Sequence, residues 1–579
     1  MKKFWIVFVI AALFIGVVLG IFWRLMRSLE TGGPTVEGGV LVWRVADDYQ
    51  EEREDSLVGY LLAGHQPLMR EVVFALRHAA NDDEIEGLLL HILALPVDWA
   101  KIEELREAVQ AFSASGKPVV AYLEGAGTKE YALAVAADEI VLAPEGNLLV
   151  LGISAEMTFL KNTLNKLGMQ ADFIHVGKYK SAPEALTREK ASPAYREMVE
   201  SIVDERFDEL TAMIAAGRSV ATEEVRRWID LGIYDAPSAL ATGLVDTLLH
   251  LEDVLATRFD SEARTSLEDY SLVRRGGRPA AKVALIYTTG TIVPGKSRRQ
   301  NLEGKYAGSE TVVEQLHKAG EDESIAAIIL RVDSPGGSAT ASDLIWHEVA
   351  HVRQQKPVIV SMSGYAASGG YYICCGADSI FAEPGTLTGS IGVFAGKVDM
   401  HGFYDKIGVQ REYVTRGENA LLMNNHAPFT PTQRERFTLL LEDFYGRFLQ
   451  KVAEGRGLEP DQVARVAEGR VWTGKQAIQH RLVDGLGGLN RALDATKRML
   501  GLAPADKVSL VSYERRPTFL ERLLLRSLWE NSWQPHLLEP MGSWSREIIG
   551  ELARDGTLAT VPLLDGRALA LLPFRVHFR

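Results

Sequence analysis

Thiols are nearly absent from this chain: its 579 residues include two cysteines, Cys374 and Cys375, and they are adjacent. Neighbours in one helix do not readily reach disulfide geometry, so the sequence offers no disulfide framework, and the scarcity of thiols suits an oxidising compartment without proving one. Long basic and acidic runs are also missing. The net charge is −13 and the pI about 5.6, which argues against nucleic acid as the main partner, because phosphate binding needs clustered Lys and Arg. What remains is the composition of a folded globular protein, 47% hydrophobic and 24% charged. At this length it is too large for a single ordinary core, and two to four domains are expected.

Only one long uncharged apolar run occurs. Phe4 to Trp23 reads FWIVFVIAALFIGVVLGIFW, between Lys2-Lys3 and Arg24. Twenty apolar residues at about 1.5 Å each span roughly 30 Å, the thickness of a bilayer's hydrocarbon core. The run exceeds a usual signal-peptide h-region, and no small-x-small cleavage site follows it. Residues 1–27 therefore read as an N-terminal transmembrane anchor, with Trp5, Phe22 and Trp23 at interface positions. Basic residues flank both ends and leave orientation open on charge alone; the reading favoured is a short tail inside and the large domain across the membrane.

Compared with itself, the chain shows a repeat. Lys117-Pro-Val-Val-Ala-Tyr-Leu-Glu-Gly125 matches Lys356-Pro-Val-Ile-Val-Ser-Met-Ser-Gly364 at an offset of 239. Ala137-Asp-Glu-Ile140 matches Ala377-Asp-Ser-Ile380, and Lys166-Leu-Gly-Met-Gln170 matches Lys406-Ile-Gly-Val-Gln410, both at 240. A period this long means duplicated domains rather than a solenoid. The copies are placed at 38–258 and 282–502, with a linker over 259–281 and a C-terminal segment, 503–579, that has no counterpart and no assigned role. Within each copy, β-rich runs such as Val283–Tyr287, Ala326–Arg331 and Pro357–Val360 alternate with helical stretches such as 338–355, the pattern of βαβ units around a largely parallel sheet.

Four segments are candidates for chemistry. SGYAASGGYY (363–372) places Ser368 between alanines and glycines at a strand-to-helix turn, where a nucleophilic oxygen is exposed; it lacks the first glycine of the Gly-x-Ser-x-Gly elbow, and a plain turn serine is the bland alternative. Asp333-Ser-Pro-Gly-Gly-Ser338 puts Gly336 and Gly337 at another strand-to-helix junction, where their amides, with that of Gly369, can serve an oxyanion; helix capping explains the same residues. His347-Glu-Val-Ala-His351 matches the H-E-x-x-H zinc pattern, in which two imidazoles on one helix face hold the metal. The first copy reads Ala108-Val-Gln-Ala-Phe112 at that place, so the helix exists without ligands. Val176-Gly-Lys-Tyr-Lys-Ser-Ala-Pro183 carries two lysines that ordinarily mark a solvated loop. With Gly177 aligned to Gly417, Lys180 falls on Ala420, whereas Ser368 falls on Thr128 or Lys129. Each copy thus holds half of a possible pair.

SGYAASGGYY, RVDSPGGS, Thr388-Gly-Ser-Ile-Gly-Val393 and GKYKSA together resemble signal peptide peptidase A of the long, duplicated bacterial type. The resemblance runs from the membrane segment to about residue 500. It implies an α/β fold, two tandem crotonase/Clp-protease-like domains after an N-terminal transmembrane helix. It further implies Ser368 as nucleophile, Lys180 as general base and Ser390 as the residue that hydrogen-bonds the lysine, with no cofactor and no metal. Expected partners are hydrophobic peptides such as cleaved signal peptides, the membrane through residues 4–23, and further copies of the chain in a homotetramer. The expected location is the inner membrane, with the catalytic part on the periplasmic side. Two other classes stay in view: a zinc metallopeptidase using His347, Glu348 and His351, and a non-catalytic scaffold on the same fold.

A Ser/Lys pair is physically sound only with a neutral lysine. Its pKa must fall from about 10.4 to near 7 or 8, which burial without a counter-charge accomplishes. Lys178, two residues away, is the decoy and points to the opposite side of an extended segment.

Overall fold

The computed structural model describes residues 38–53, 67–272, 279–300, 304–513 and 569–571. The expected anchor, residues 1–27, lies outside them. Among the described residues no helix is long and apolar enough to cross a membrane.

Each repeat is built on its own core sheet. In the first, the strands run in the order Thr247–Leu248, Glu139–Leu142, Val119–Leu123, Ile85–Ile92, Gly39–Val45 and Arg264–Ser266, all parallel. In the second the order is Val471–Thr473, Leu387–Gly389, Val358–Ala367, Ile325–Ser334, Ala281–Thr289 and Val508–Ser512. Central strands such as VVAYL (119–123) and IAAIILRVDS (325–334) are near-continuous apolar runs, because helices cover both faces of a parallel sheet. Off this path Ser379–Ala382 pairs parallel with Val358–Ala367 and with Gly485–Leu486; these two strands are the counterparts of Glu139–Leu142 and Thr247–Leu248 and make the copies equivalent, and details repeat as well. Tyr131 donates to the Leu244 carbonyl and Tyr371 to that of Leu482; Asp138 accepts from the Val119 amide as Asp378 does from that of Val358.

Both repeats extend past the boundaries expected from sequence. Arg264–Ser266, inside the expected linker, is the edge strand beside Val40–Val42, and Leu267 and Tyr270 behind it enter the first core. Val508–Ser512 is the matching edge strand beside Ala281–Leu285. Only alternate residues of so short an edge strand are buried, Thr265 in the first, so its polar sequence reads as linker.

A third sheet joins the copies. Gln170–Val176 from the first repeat pairs antiparallel with Val393–Asp399 from the second over seven residues, from Gln170 opposite Asp399 to Val176 opposite Val393. Ile174 thereby enters the second repeat's core. The helix Pro193–Arg218 follows, and its Tyr195, Met198, Val199 and Ile202 pack on Leu387 and Val471 across the boundary.

Behind this apolar contact lies a buried ionic one. Arg331, within the strand Ile325–Ser334, is fully buried. Its guanidinium donates to both carboxylate oxygens of Glu51, at 2.8 and 3.0 Å, and to Glu104 at 2.5 Å, both from the first repeat, and to Ser361 Oγ at 2.8 Å. Glu51 also accepts from Ser363 Oγ at 2.5 Å. Ser361 and Ser363 belong to the strand that ends next to Ser368, so two first-repeat carboxylates hold the strands beneath the Ser368 turn. Arg331→Met leaves both carboxylates buried without their cation, at a cost of about 3–5 kcal/mol. A thermal or urea melt should show that loss, and Arg331→Met in a Glu51→Gln background should lose less than the sum of the two single changes.

Candidate active site

The cross-repeat strand pair fixes what stands beside what. Val176 opposite Val393 ends the ladder. Lys180 lies four residues beyond the first and Ser390 three before the second. The strand Val358–Ala367 ends directly before Ser368, and the helix Gly369–Cys374 begins directly after it. Lys180 Nζ sits 2.6 Å from Ser368 Oγ, 3.0 Å from Ser390 Oγ and 3.1 Å from the Ser390 carbonyl. All three residues are fully buried, and the two half-sites meet within one chain.

Loop geometry holds them there. Ser368 has φ 57°, Ser390 φ 51° and Glu468 φ 53°, three of the five non-glycine residues with positive φ among those described. For non-glycine side chains that conformation costs of order 1 kcal/mol or more each and survives only where surrounding bonds impose it. The bonds are present: Ser368 N–H donates to the Gly389 carbonyl, Ser390 N–H to that of Arg470, and Tyr179 N–H to that of Glu468. Gly177 and Gly469 permit the last contact. A Cβ on Gly177 would stand 2.5 Å from Glu468, and one on Gly469 2.6 Å from Lys180. Around the rim, Arg470 pairs with Glu197 at 2.6 Å and lies over the rings of Tyr179 and Trp472, pinning the lysine loop to the second repeat. Glu468, Gly469 and Arg470 were missed at the level of sequence, since a Glu-Gly-Arg triplet carries no catalytic signature.

Burial alone pushes the Lys180 ammonium well below its ordinary 10.5, with no counter-charge opposing it. Lys101 provides the internal comparison. It too is buried, but Asp98, Asp333 and Glu51 surround it and override desolvation, so its pKa rises. With Lys180 neutral, its nitrogen can accept the Ser368 hydroxyl proton while donating to Ser390. Lys178 is exposed, bonded to Tyr179 OH at 3.1 Å, and that bond raises its pKa.

The glycines of the turn divide. Gly336 N–H donates to Ser334 Oγ at 3.2 Å, and Ser334 donates to the Gly290 carbonyl at 2.6 Å. Gly337 packs so closely that a Cβ would fall 2.0 Å from the Ile292 carbonyl. Gly369 is the first residue of its helix, where an amide has no intrahelical acceptor. In the first repeat the register Ala126–Leu148 against Ala366–Thr388 sets the local offset at 240, so Thr128 stands in the place of Ser368. Thr128 Oγ1 is tied to the Leu151 amide and carbonyl, and among the described residues no lysine hydrogen-bonds to it.

His347 and His351 are exposed on the helix Ala339–Val352. Glu348 lies 3.2 Å from His317, and His351 pairs with Gln355. Among the described residues no group of three His, Cys, Asp or Glu is placed to hold a metal ion.

The fold and this centre define the class as serine-type peptidase. Peptidase family S49 matches the chain twice, over residues 111–264 and 350–503, once in each repeat, and the Clp protease family matches residues 300–386. The chain is 33% identical over 461 residues to "Serine protease SPPA, chloroplastic" of Arabidopsis thaliana, covering 77% of this chain and 68% of that one. It is 33% identical to Protease 4 of Haemophilus influenzae, covering 74% of this chain and 72% of the relative, and 32% identical to Protease 4 of Salmonella typhi, covering 83% and 80%. The chain belongs to peptidase family S49 and is a serine-type endopeptidase of the duplicated SppA kind.

The buried lysine carries a stability consequence. Unfolded, Lys180 keeps its proton up to about pH 10.4; folded, it releases it well below that. Between those values the unfolded chain binds more protons, so stability rises with pH, and below them the buried lysine is a net cost. Lys180→Met should therefore raise the melting temperature at pH 7 and flatten its pH dependence, as differential scanning calorimetry at pH 6 to 10 will show.

Proposed function

We propose that this protein is a membrane-anchored endopeptidase that uses a Ser368/Lys180 dyad to degrade hydrophobic peptides, cleaved signal peptides in particular. The observation that carries the proposal is the 2.6 Å contact between Lys180 Nζ and Ser368 Oγ, buried and without a counter-ion. Lys180 takes the Ser368 proton as the oxygen attacks the peptide carbonyl carbon. The tetrahedral oxyanion receives the amides of Gly369 and Gly337; that of Gly336 is engaged by Ser334. Lys180 then protonates the departing amine, the C–N bond breaks, and an ester on Ser368 remains. Water, deprotonated by the same lysine, hydrolyses that ester and restores both residues. Ser390 holds the lysine on line throughout by its hydroxyl and carbonyl.

Anchorage through residues 4–23 keeps the cleft at the membrane where apolar peptides accumulate, with the catalytic part on the periplasmic side. Assembly into a homotetramer has support in the repeat. At the 240 offset, Gln170–Val176 corresponds to 410–416 and Val393–Asp399 to 153–159, yet neither of these counterparts forms a strand in the chain. Ile174 is 7% exposed, whereas its counterpart Val414 is 92% exposed. The same antiparallel pairing between residues 410–416 of one copy and 153–159 of the next would propagate the cross-repeat contact from chain to chain.

Two measurements follow. With a hydrophobic peptide ester, Ser368→Ala and Lys180→Ala should each lower kcat by about 10³-fold or more, while Lys178→Ala and zinc chelators leave it unchanged; for the wild type, kcat/KM should climb with pH to a plateau reached below pH 10.5. Chelator-sensitive turnover would turn attention to His347, Glu348 and His351, and unchanged turnover in the Ser368 and Lys180 variants would favour a scaffold. By light scattering after size exclusion, Val414→Arg should shift a tetramer toward smaller species.

A further inference from the structure

The strand that ends at the Ser368 turn is irregular just before it. Val332 stands opposite Met362 and Ser334 opposite Ala366, so a single residue, Asp333, faces three: Ser363, Gly364 and Tyr365. Each of the three is held from outside the ladder. Ser363 Oγ donates to Glu51 at 2.5 Å, and Gly364 abuts Asp98 so closely that a Cβ would fall 2.7 Å from its carboxyl group. Tyr365 N–H donates to Asp333 Oδ1 at 3.1 Å, a side chain supplying the acceptor that the bulged ladder lacks. Glu51 and Asp98 belong to the first repeat. So does Lys101, whose Nζ lies 3.9 Å from Asp333 Oδ2 and 3.8 Å from Asp98 and donates to the Tyr49 carbonyl at 3.1 Å.

Both turns of the site leave from this bulge. Three residues beyond Asp333 comes Gly336, and three beyond Tyr365 comes Ser368. Gly370, in the helix after Ser368, rests on the residue next to Asp333: its Cβ would fall 2.6 Å from the Ser334 carbonyl. We propose that Asp333, paired with Lys101 of the first repeat, is a positioning residue for the peptidase reaction, its carboxylate fixing the spacing between Ser368 Oγ and the glycine turn. The proposal rests on the reading of Ser368 as the nucleophile. A hydrogen bond from an amide to a carboxylate is about twice as strong as one to a neutral acceptor, so the ionised form holds the bulge and the protonated form loosens it. Burial pushes the Asp333 carboxyl up to about 7; Lys101 and Arg331 pull it down, and Asp98 and Glu51 raise it further. The repeat shows why one copy alone carries the carboxylate. Asp98 caps the helix Trp99–Ser113 through the Lys101 amide as Ser338 caps the helix Ala339–Val352 through that of Ala341, which sets the offset at 240. Leu93 then stands in the place of Asp333, and Ala341 in that of Lys101. The first copy supplies the cation and the second the carboxylate.

The test compares full-length wild type, Asp333→Ala, Asp333→Asn, Lys101→Met and Lys101→Arg on a hydrophobic peptide ester, with folding of each checked by circular dichroism. Because the pair places groups that meet in the transition state, Asp333→Ala is expected to lower kcat by about 10- to 100-fold while KM changes by less than about twofold. Wild-type kcat/KM is expected to drop as pH falls through about 7, where Asp333 takes up its proton. Asp333→Asn should remove that inflection, Lys101→Met should move it upward by about one pH unit or more, and Lys101→Arg should restore it. A bond that only stabilises the fold would leave the inflection where it is in every variant. An inflection unmoved by both Asp333→Asn and Lys101→Met, or kcat kept within about twofold in a folded Asp333→Ala enzyme, would overturn the proposal. Should Asp333→Ala not fold, the pH profiles of the other three variants decide. Failure of the dyad is read separately, from an active Ser368→Ala enzyme.

Discussion

Everything at the candidate site depends on one strand pairing. Seven residues of the first repeat, Gln170–Val176, lie antiparallel to seven of the second, Val393–Asp399, and the loops leaving one end of that ladder carry Lys180 and Ser390. A slip of one residue would reverse which face each side chain occupies and withdraw the lysine from Ser368. The pairing is therefore secured on several sides. Ile174 sits in the second repeat's core, the helix Pro193–Arg218 packs across the boundary, and the Arg331 cluster ties Glu51 and Glu104 of the first repeat to the strands beneath Ser368.

Among the described residues the two copies form one buried Ser–Lys contact, and the reason is chemical as well as geometric. The first copy keeps the turn, with Thr128 in the serine's place, but its hydroxyl is bonded to Leu151 and no basic side chain among the described residues hydrogen-bonds to it. The second keeps the serine and places Ala420 where a lysine would be needed. Charge distribution follows the same division of labour. Lys101, among carboxylates, stays an ammonium that helps join the copies, while Lys180, buried among serines and backbone, is pushed toward the neutral amine. Burial is common to both lysines; the neighbours decide which can give up its proton more easily.

Much of this was legible in the sequence, because the repeat could be read against itself. The matches at 239 and 240 residues exposed two copies of one fold, and the reciprocal loss of serine and lysine pointed to a shared site before any distance was known. Less legible were features without a periodic or compositional mark. The edge strands Arg264–Ser266 and Val508–Ser512 are too short and too polar to stand out from linker. Glu468 and Gly469 act through backbone conformation, which a single sequence does not display. Arg331 did leave a trace, a lone cation inside the apolar strand AAIILRVDS; a charge there needs buried partners, but only the fold reveals that Glu51 and Glu104, more than 200 residues away, supply them. The short strand Leu569–Leu571, paired with Gly336–Ser338, left none, since three apolar residues in a row resemble any others.

The central claim is that serine and lysine from different repeats of one chain form the catalytic pair. Co-expressing Ser368→Ala and Lys180→Ala chains and assaying the mixed assembly tests it most directly. If the pair forms within a chain, every chain in the mixture lacks one member and the assembly stays as inactive as either variant alone. Recovery of a substantial share of wild-type activity in the mixture would mean that the lysine serves a neighbouring chain's serine and would contradict the account.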